Sequence, residues 1–101
     1  MFEGEYLNGE RNGKGKEYNY DGKLYFEGEY LNGKRWNGKF INENGNIIYE
    51  LNNTHENAKE YDDGKLIFEG EYLYGNRNGK GKEYFDGKLR FEGEYLNGKK
   101  L

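Results

Sequence analysis

One phrase, Phe-Glu-Gly-Glu-Tyr-Leu, recurs at residues 2–7, 26–31, 68–73 and 91–96 of a chain of 101 residues. An internal repeat of this kind decides the fold before anything else, because each copy must bury its apolar side against its neighbours. In an extended strand, successive side chains point to opposite faces. Leu24, Phe26, Gly28 and Tyr30 then share one face, and Lys23, Tyr25, Glu27 and Glu29 the other. Tyr25 is matched by Ile67 and Arg90 in other copies, the tolerance expected of a solvent face. Gly28, and by repetition Gly70 and Gly93, falls between two aromatics on the inner face. With no Cβ, it leaves room for a neighbouring ring to lie against the backbone.

Between the copies come turn signals. Asn8–Gly9 is followed by Glu10–Arg11–Asn12–Gly13, a strand at Lys14–Tyr18, and a return turn at Asp21–Gly22. Asn-Gly and Asp-Gly accept φ > 0 and mark tight hairpins. The chain therefore reads as one domain of two-strand units at 2–25, 26–48, 49–67, 68–90 and a partial 91–101. The second unit is irregular: Trp36 is an extra residue, and Phe40 replaces Gly15 and Gly81. The third is shortened, with Ala58 at the glycine position. About ten strands at ~4.8 Å each predict an array roughly 45–50 Å long. No stretch carries the 3.6-residue apolar period of a helix.

Only 33% of residues are hydrophobic while 18% are aromatic, so a thick two-layer core is out of reach and a thin linear array fits better. Net charge is −3, with Lys and Glu interleaved, which argues against a nucleic-acid surface. Absence of Cys excludes disulfides and thiolate metal sites. No apolar run approaches membrane-span length and the N-terminus is no signal peptide, so a soluble, cytoplasmic chain is expected.

No catalytic constellation emerges. The Glu pairs (Glu3/Glu5, Glu27/Glu29, Glu69/Glu71, Glu92/Glu94) look like carboxylate pairs, but an active site is rarely built four times. They are expected to line a solvated face opposite Lys14, Lys16, Lys80 and Lys82. His55, the sole histidine, stands in a polar turn without a nucleophile or further ligands. Gly13–Lys16 resembles a phosphate loop but lacks the following Ser/Thr and helix. Asn52–Asn53–Thr54 matches a glycosylation sequon, silent without secretion. Neither cofactor nor small-molecule substrate is expected. Lipid headgroups want four to eight clustered basic residues, and the largest run is Lys99–Lys100.

Phe2–Tyr6 with Gly13–Lys14–Gly15, and Phe68–Tyr72 with Gly79–Lys80–Gly81, resemble the MORN family (membrane occupation and recognition nexus repeats). The unit is an aromatic-x-Gly-x-aromatic strand, an Asn-Gly turn and a Gly-x-Gly strand. The resemblance implies a single-layer antiparallel β-meander, elongated and twisted, serving as scaffold, dimerisation module or partner-binding surface, with phospholipid binding as an alternative. Glu17 and Glu83 stand where the usual second strand has an aromatic, and a bulge at Lys16–Glu17 is expected there. The Lys-Glu-Tyr…Asp-Gly-Lys-Leu run is similar to YwqK-like antitoxin repeats, which implies a second alternative, a toxin-neutralising partner.

The expected function is protein–protein interaction or self-association through the aromatic face and the open edges. A single layer should leave Phe26, Tyr30, Phe68, Tyr72, Phe91 and Tyr95 partly wet, and contiguous apolar surface marks an interaction site. Trp36 has two readings: a binding hot spot, or a cover over the second unit near Phe40.

Overall fold

The computed structural model describes residues 1–101. Ten strands follow one another: β1 (Phe2–Leu7), β2 (Glu10–Tyr18), β3 (Leu24–Leu31), β4 (Lys34–Ile41), β5 (Ile47–Asn52), β6 (Asn57–Asp62), β7 (Lys65–Leu73), β8 (Asn76–Phe85), β9 (Lys88–Leu96) and β10 (Lys99–Lys100). Each pairs antiparallel with its neighbours in sequence, so sheet order is chain order. This is the all-β meander that the repeat predicts. Asn8, Asn32 and Asn97 open their hairpin turns in the left-handed region, at φ of 51°, 50° and 50°. Tyr74 holds the matching place in the β7–β8 turn at φ 51°. The sheet measures 42 × 29 × 16 Å, somewhat shorter than the strand count predicts, as a twisted sheet spans less than the sum of its spacings.

Two kinds of bulge repeat along the array. Between Gly4 and Tyr6 the partner strand runs from Gly15 to Arg11, and between Gly70 and Tyr72 from Gly81 to Arg77. Gly13 and Gly79 absorb the surplus at φ of 86° and 99°, a backbone that favours glycine. The carboxylates of Glu5 and Glu71 accept the backbone N–H of Lys14 and Lys80 there, at 2.7 and 2.6 Å. In β4 the surplus residue is Trp36, between Arg35 opposite Tyr30 and Asn37 opposite Glu29. The second kind lies one step past the expected Lys16–Glu17 position and on the partner strand. Glu17 faces Phe26 while Tyr18 faces Leu24, which leaves Tyr25 unpaired; Ile67 and Arg90 are left over in the same way. The variability of this position thus marks a bulge rather than an ordinary outward-facing site.

The register draws three rows across nine strands. Glu3, Lys16, Glu27, Lys39, Glu50, Lys59, Glu69, Lys82 and Glu92 form an outer ladder of strictly alternating charge. A parallel outer row contains Lys14, Glu29, Asn37, Asn52, Asn57 and Glu71. Between them runs a row of Gly4, Gly15, Gly28, Gly38, Leu51, Ala58, Gly70, Gly81 and Gly93.

On the inner face the rings close over this small-residue row. A Cβ added to Gly15 would stand 2.7–2.8 Å from Phe2 and Tyr30, and one on Gly81 2.7–2.9 Å from Phe68 and Tyr95. Gly93 lies under Phe91. At Gly28 and Gly70 the closest neighbours are backbone instead: Asn37 O at 2.0 Å, and Gly81 Cα with Lys80 O at 2.6 Å. Close backbone approach lets the layer bend, and the rings pack on one another.

Candidate functional site

The aromatic face corrects the expectation of a wet surface. Phe26 and Phe68 have no exposed area, and Tyr30, Tyr72 and Tyr95 are buried; Phe91 is half-buried. All six belong to one continuous column, Tyr6–Phe2–Tyr30–Phe26–Phe40–Tyr49–Tyr72–Phe68–Tyr95–Phe91, with neighbouring centroids 4.7–5.9 Å apart. Most contacts are edge-to-face or tilted, the arrangement that the ring quadrupole favours. Three arginines roof the column. The Arg11 guanidinium lies 4.2 Å from the Phe2 centroid, Arg77 4.1 Å from Phe68, and Arg35 about equally over Phe40 and Phe26 at 5.1 and 5.3 Å. Such contacts add cation–π attraction to the exclusion of water.

Each roof is clamped by a carboxylate from the Lys-Glu-Tyr run. Glu17 accepts from Arg35 Nε at 2.6 Å and Nη2 at 2.9 Å, from the Tyr25 hydroxyl at 2.8 Å, and from the Tyr30 hydroxyl. Glu60 takes Arg77 Nε and Nη2, both at 2.9 Å, and the Tyr72 hydroxyl. Glu83 takes the Tyr95 hydroxyl, with Lys100 Nζ at 3.2 Å and Arg77 Nη1 at 3.6 Å. Where Glu17 replaces the expected aromatic it therefore serves as a buried acceptor for the arginine fork and the tyrosine tip, whereas Glu83 is a quarter exposed and takes the Tyr95 tip with Lys100. Hydrogen bonding to Arg35 holds the Glu17 carboxyl at about 2, against the opposing effect of burial. Burial also resists ionisation of Glu60, but the bonds from Arg77 and Tyr72 outweigh it and lower its pKa. Burial pushes Tyr49 and Tyr95 up to about 12, and raises Tyr30 and Tyr72 as well. The carboxylates stay ionised and the phenols protonated near neutral pH, so this cluster is built to hold, not to exchange protons.

Trp36 is half-buried at its bulge, and its indole N–H donates to Thr54 Oγ1 at 3.1 Å. Asn37 Nδ2 donates to the same oxygen at 3.1 Å, and the Asn53 N–H donates to the Trp36 carbonyl at 3.1 Å. Trp36 thus ties β4 to the turn before β6. Phe40 packs elsewhere, against Phe26 and Tyr49. His55 is exposed in that turn, its backbone N–H donating to Asn52 Oδ1 at 3.2 Å.

Several of the large apolar side chains left in solvent lie at or beside the turns, while Tyr6 is exposed at the open end of the column. Tyr20 and Tyr74 are exposed by 108% and 93%, and Phe85, Leu89 and Leu96 by more than half. Sequence reasoning passed over them. The available signal was Tyr74 in a turn position that Asn fills in the other copies.

The outer face behaves as charge patterning predicts: Glu-x-Glu strands flank Lys-x-Lys strands in the regular units, and Asn37, Asn52 and Asn57 thin the charge over β4–β6. Tyr18, Tyr61 and Tyr84 donate to Glu3, Glu50 and Glu69 of the ladder at 3.4, 3.1 and 2.7 Å.

A comparison with curated proteins returned no match. A comparison with protein families matched the MORN repeat at residues 2–23, 26–47 and 68–88, about two-thirds of the chain. These segments are the aromatic-x-Gly-x-aromatic strands with their following hairpins, and the chain belongs to the MORN repeat family.

Proposed function

We propose that this chain is a non-catalytic, cytoplasmic interaction module that meets a protein partner at its turns rather than on its aromatic face. MORN repeats are non-catalytic modules associated with protein or membrane-lipid interaction. The observation that carries the reading is Tyr74. A non-glycine residue in the left-handed region costs about 1–2 kcal/mol, least for Asn and Asp, and the other copies have Asn there. Tyr74 accepts that cost while its ring remains in solvent, so the fold itself gains no packing from it. Strain of this kind points toward function. Phe26, Tyr30, Phe68, Tyr72 and Tyr95 contribute indirectly, by holding the turns in place. Interleaved Glu and Lys speak for a protein over an anionic bilayer.

Benzoylphenylalanine introduced at position 74 should photo-crosslink a discrete partner in the native lysate. Tyr74→Asn should abolish capture by the immobilised chain while raising its melting temperature. Co-sedimentation with anionic liposomes that weakens as salt rises would favour the lipid reading instead. Partner capture unchanged by Tyr74→Asn would overturn the assignment of the turn surface.

A further inference from the structure

The outer face carries a feature that the interaction reading leaves unused. Over β1–β4 the two charged rows stand on either side of Gly4, Gly15, Gly28 and Gly38 and enclose a trough of 620 Å³. Its walls are Glu3, Lys16, Glu27 and Lys39 on one side, Lys14 and Glu29 on the other. We propose that this trough is a binding slot for a flat, elongated aromatic molecule lying across the strands.

Six properties point to that class of ligand. The rows are two residues apart on each strand, about 7 Å, so the Lys and Glu stems leave a gap close to the thickness of one ring. Four strands give a length of three spacings, about 14 Å. The volume falls in the range of small-molecule sites. The floor is made of glycine Cα atoms and peptide planes whose polar groups face their partner strands, so it offers apolar contact and few free hydrogen bonds. An extended peptide would find no backbone partners there, whereas an aromatic ring needs none. Three Glu and three Lys line the slot, with a formal charge of zero, so the lining selects by shape rather than by the occupant's net charge. The floor is also braced from below, because Phe2 and Tyr30 press on Gly15 from the inner face. A slot that cannot sag loses little on closing around a ligand.

The remainder of the array is less suited. Over β4–β6 the hollow shrinks to 330 Å³ and Asn52 and Asn57 replace charged wall residues. Over β6–β9 it holds 400 Å³.

Thioflavin T, a planar dye of two linked ring systems, serves as the probe. Titrated into protein shown to be monomeric by sedimentation velocity, it should give saturable fluorescence enhancement and an induced circular dichroism band. Lys16→Ala/Glu27→Ala, which lowers one wall without changing the slot's charge, should weaken binding by about tenfold or more, equivalent to about 1.4 kcal/mol. Lys34→Ala/Lys99→Ala, outside the trough, should leave it unchanged. Should the wall variant lose its cooperative unfolding transition, Lys14→Trp, which lays a ring into the slot, replaces it and should block the dye equally. Three results overturn the proposal: no saturable signal from the monomer at high micromolar dye, affinity indifferent to the wall variants, or affinity that collapses with salt. The last would mean that carboxylates alone hold the cation.

Discussion

Replacing Glu17 by Gln removes one charge from the most heavily hydrogen-bonded carboxylate in the molecule while keeping its shape. Its folded pKa of about 2 lies below the ordinary value of 4.5. At about 1.4 kcal/mol per pKa unit, the ionised form contributes about 3 kcal/mol at neutral pH. Glu17 retains only 6% of its surface, but the Arg35 side chain keeps 36% of its own, so solvent screening makes about 3 kcal/mol the upper figure. Domains of this size hold about 5–15 kcal/mol in total, so the loss is a large share. The sign follows from a lowered folded pKa. The contribution is complete above the unfolded value of 4.5 and is lost as pH falls through 2. Urea unfolding followed by circular dichroism should therefore show the variant less stable by up to about 3 kcal/mol at pH 7, a midpoint shift of up to about 2 M. Near pH 2 the two proteins should converge to within about 1 kcal/mol, because protonated Glu and Gln are then nearly equivalent. A loss below about 1 kcal/mol at pH 7, or an equal loss at both pH values, would refute the clamp assigned to Glu17.

Tyr74→Asn should raise the melting temperature by several degrees, since relief of about 1 kcal/mol moves a domain of this size by about 4–8 °C; a fall would show that the ring packs in solution. Gly28→Val should be severely destabilising, because its Cβ would stand 2.0 Å from Asn37 O, whereas Gly98→Val should cost about 1 kcal/mol for its φ of 86°. Comparable melting temperatures for the two would contradict the close backbone approach. Thr54→Val should cost about 1 kcal/mol and shift Trp36 emission, leaving partner capture intact; lost capture without lost stability would return Trp36 to the contact surface. Wild-type stability should decline below pH 4.5 more steeply than Glu17 alone explains, because Glu60 and Glu83 are also held below the usual range.

The strands, turns and outer charge pairing were legible because each is a local rule: alternation sets the face, Asn-Gly sets the turn, and repetition multiplies both. The burial of Phe26 and Phe68 was not. It depends on backbones meeting at Gly28 and Gly38, and on Arg35 and Arg77 reaching over rings of the neighbouring strand, which no single strand encodes. The role of Glu17 was half visible. Alternation puts it on the inner face, but its partners Tyr30 and Arg35 come from β3 and β4, at separations that only the register brings together. Trp36 stands out in the sequence as the sole Trp and an extra residue, yet its attachment to Thr54 depends on the path of the irregular unit.

The alternating outer ladder sets a parity rule on how such an array can change length. Strands with Glu and strands with Lys succeed each other without a break from Glu3 to Glu92. Inserting or deleting one strand would reverse the direction of everything downstream and set like charges face to face. Inserting or deleting a hairpin changes neither. The shortened unit obeys this arithmetic: it has lost the aromatic phrase but still supplies Glu50 and Lys59 in the proper order. Growth and trimming of the array thus proceed in twos, and a degenerate hairpin is tolerated where a missing strand is not.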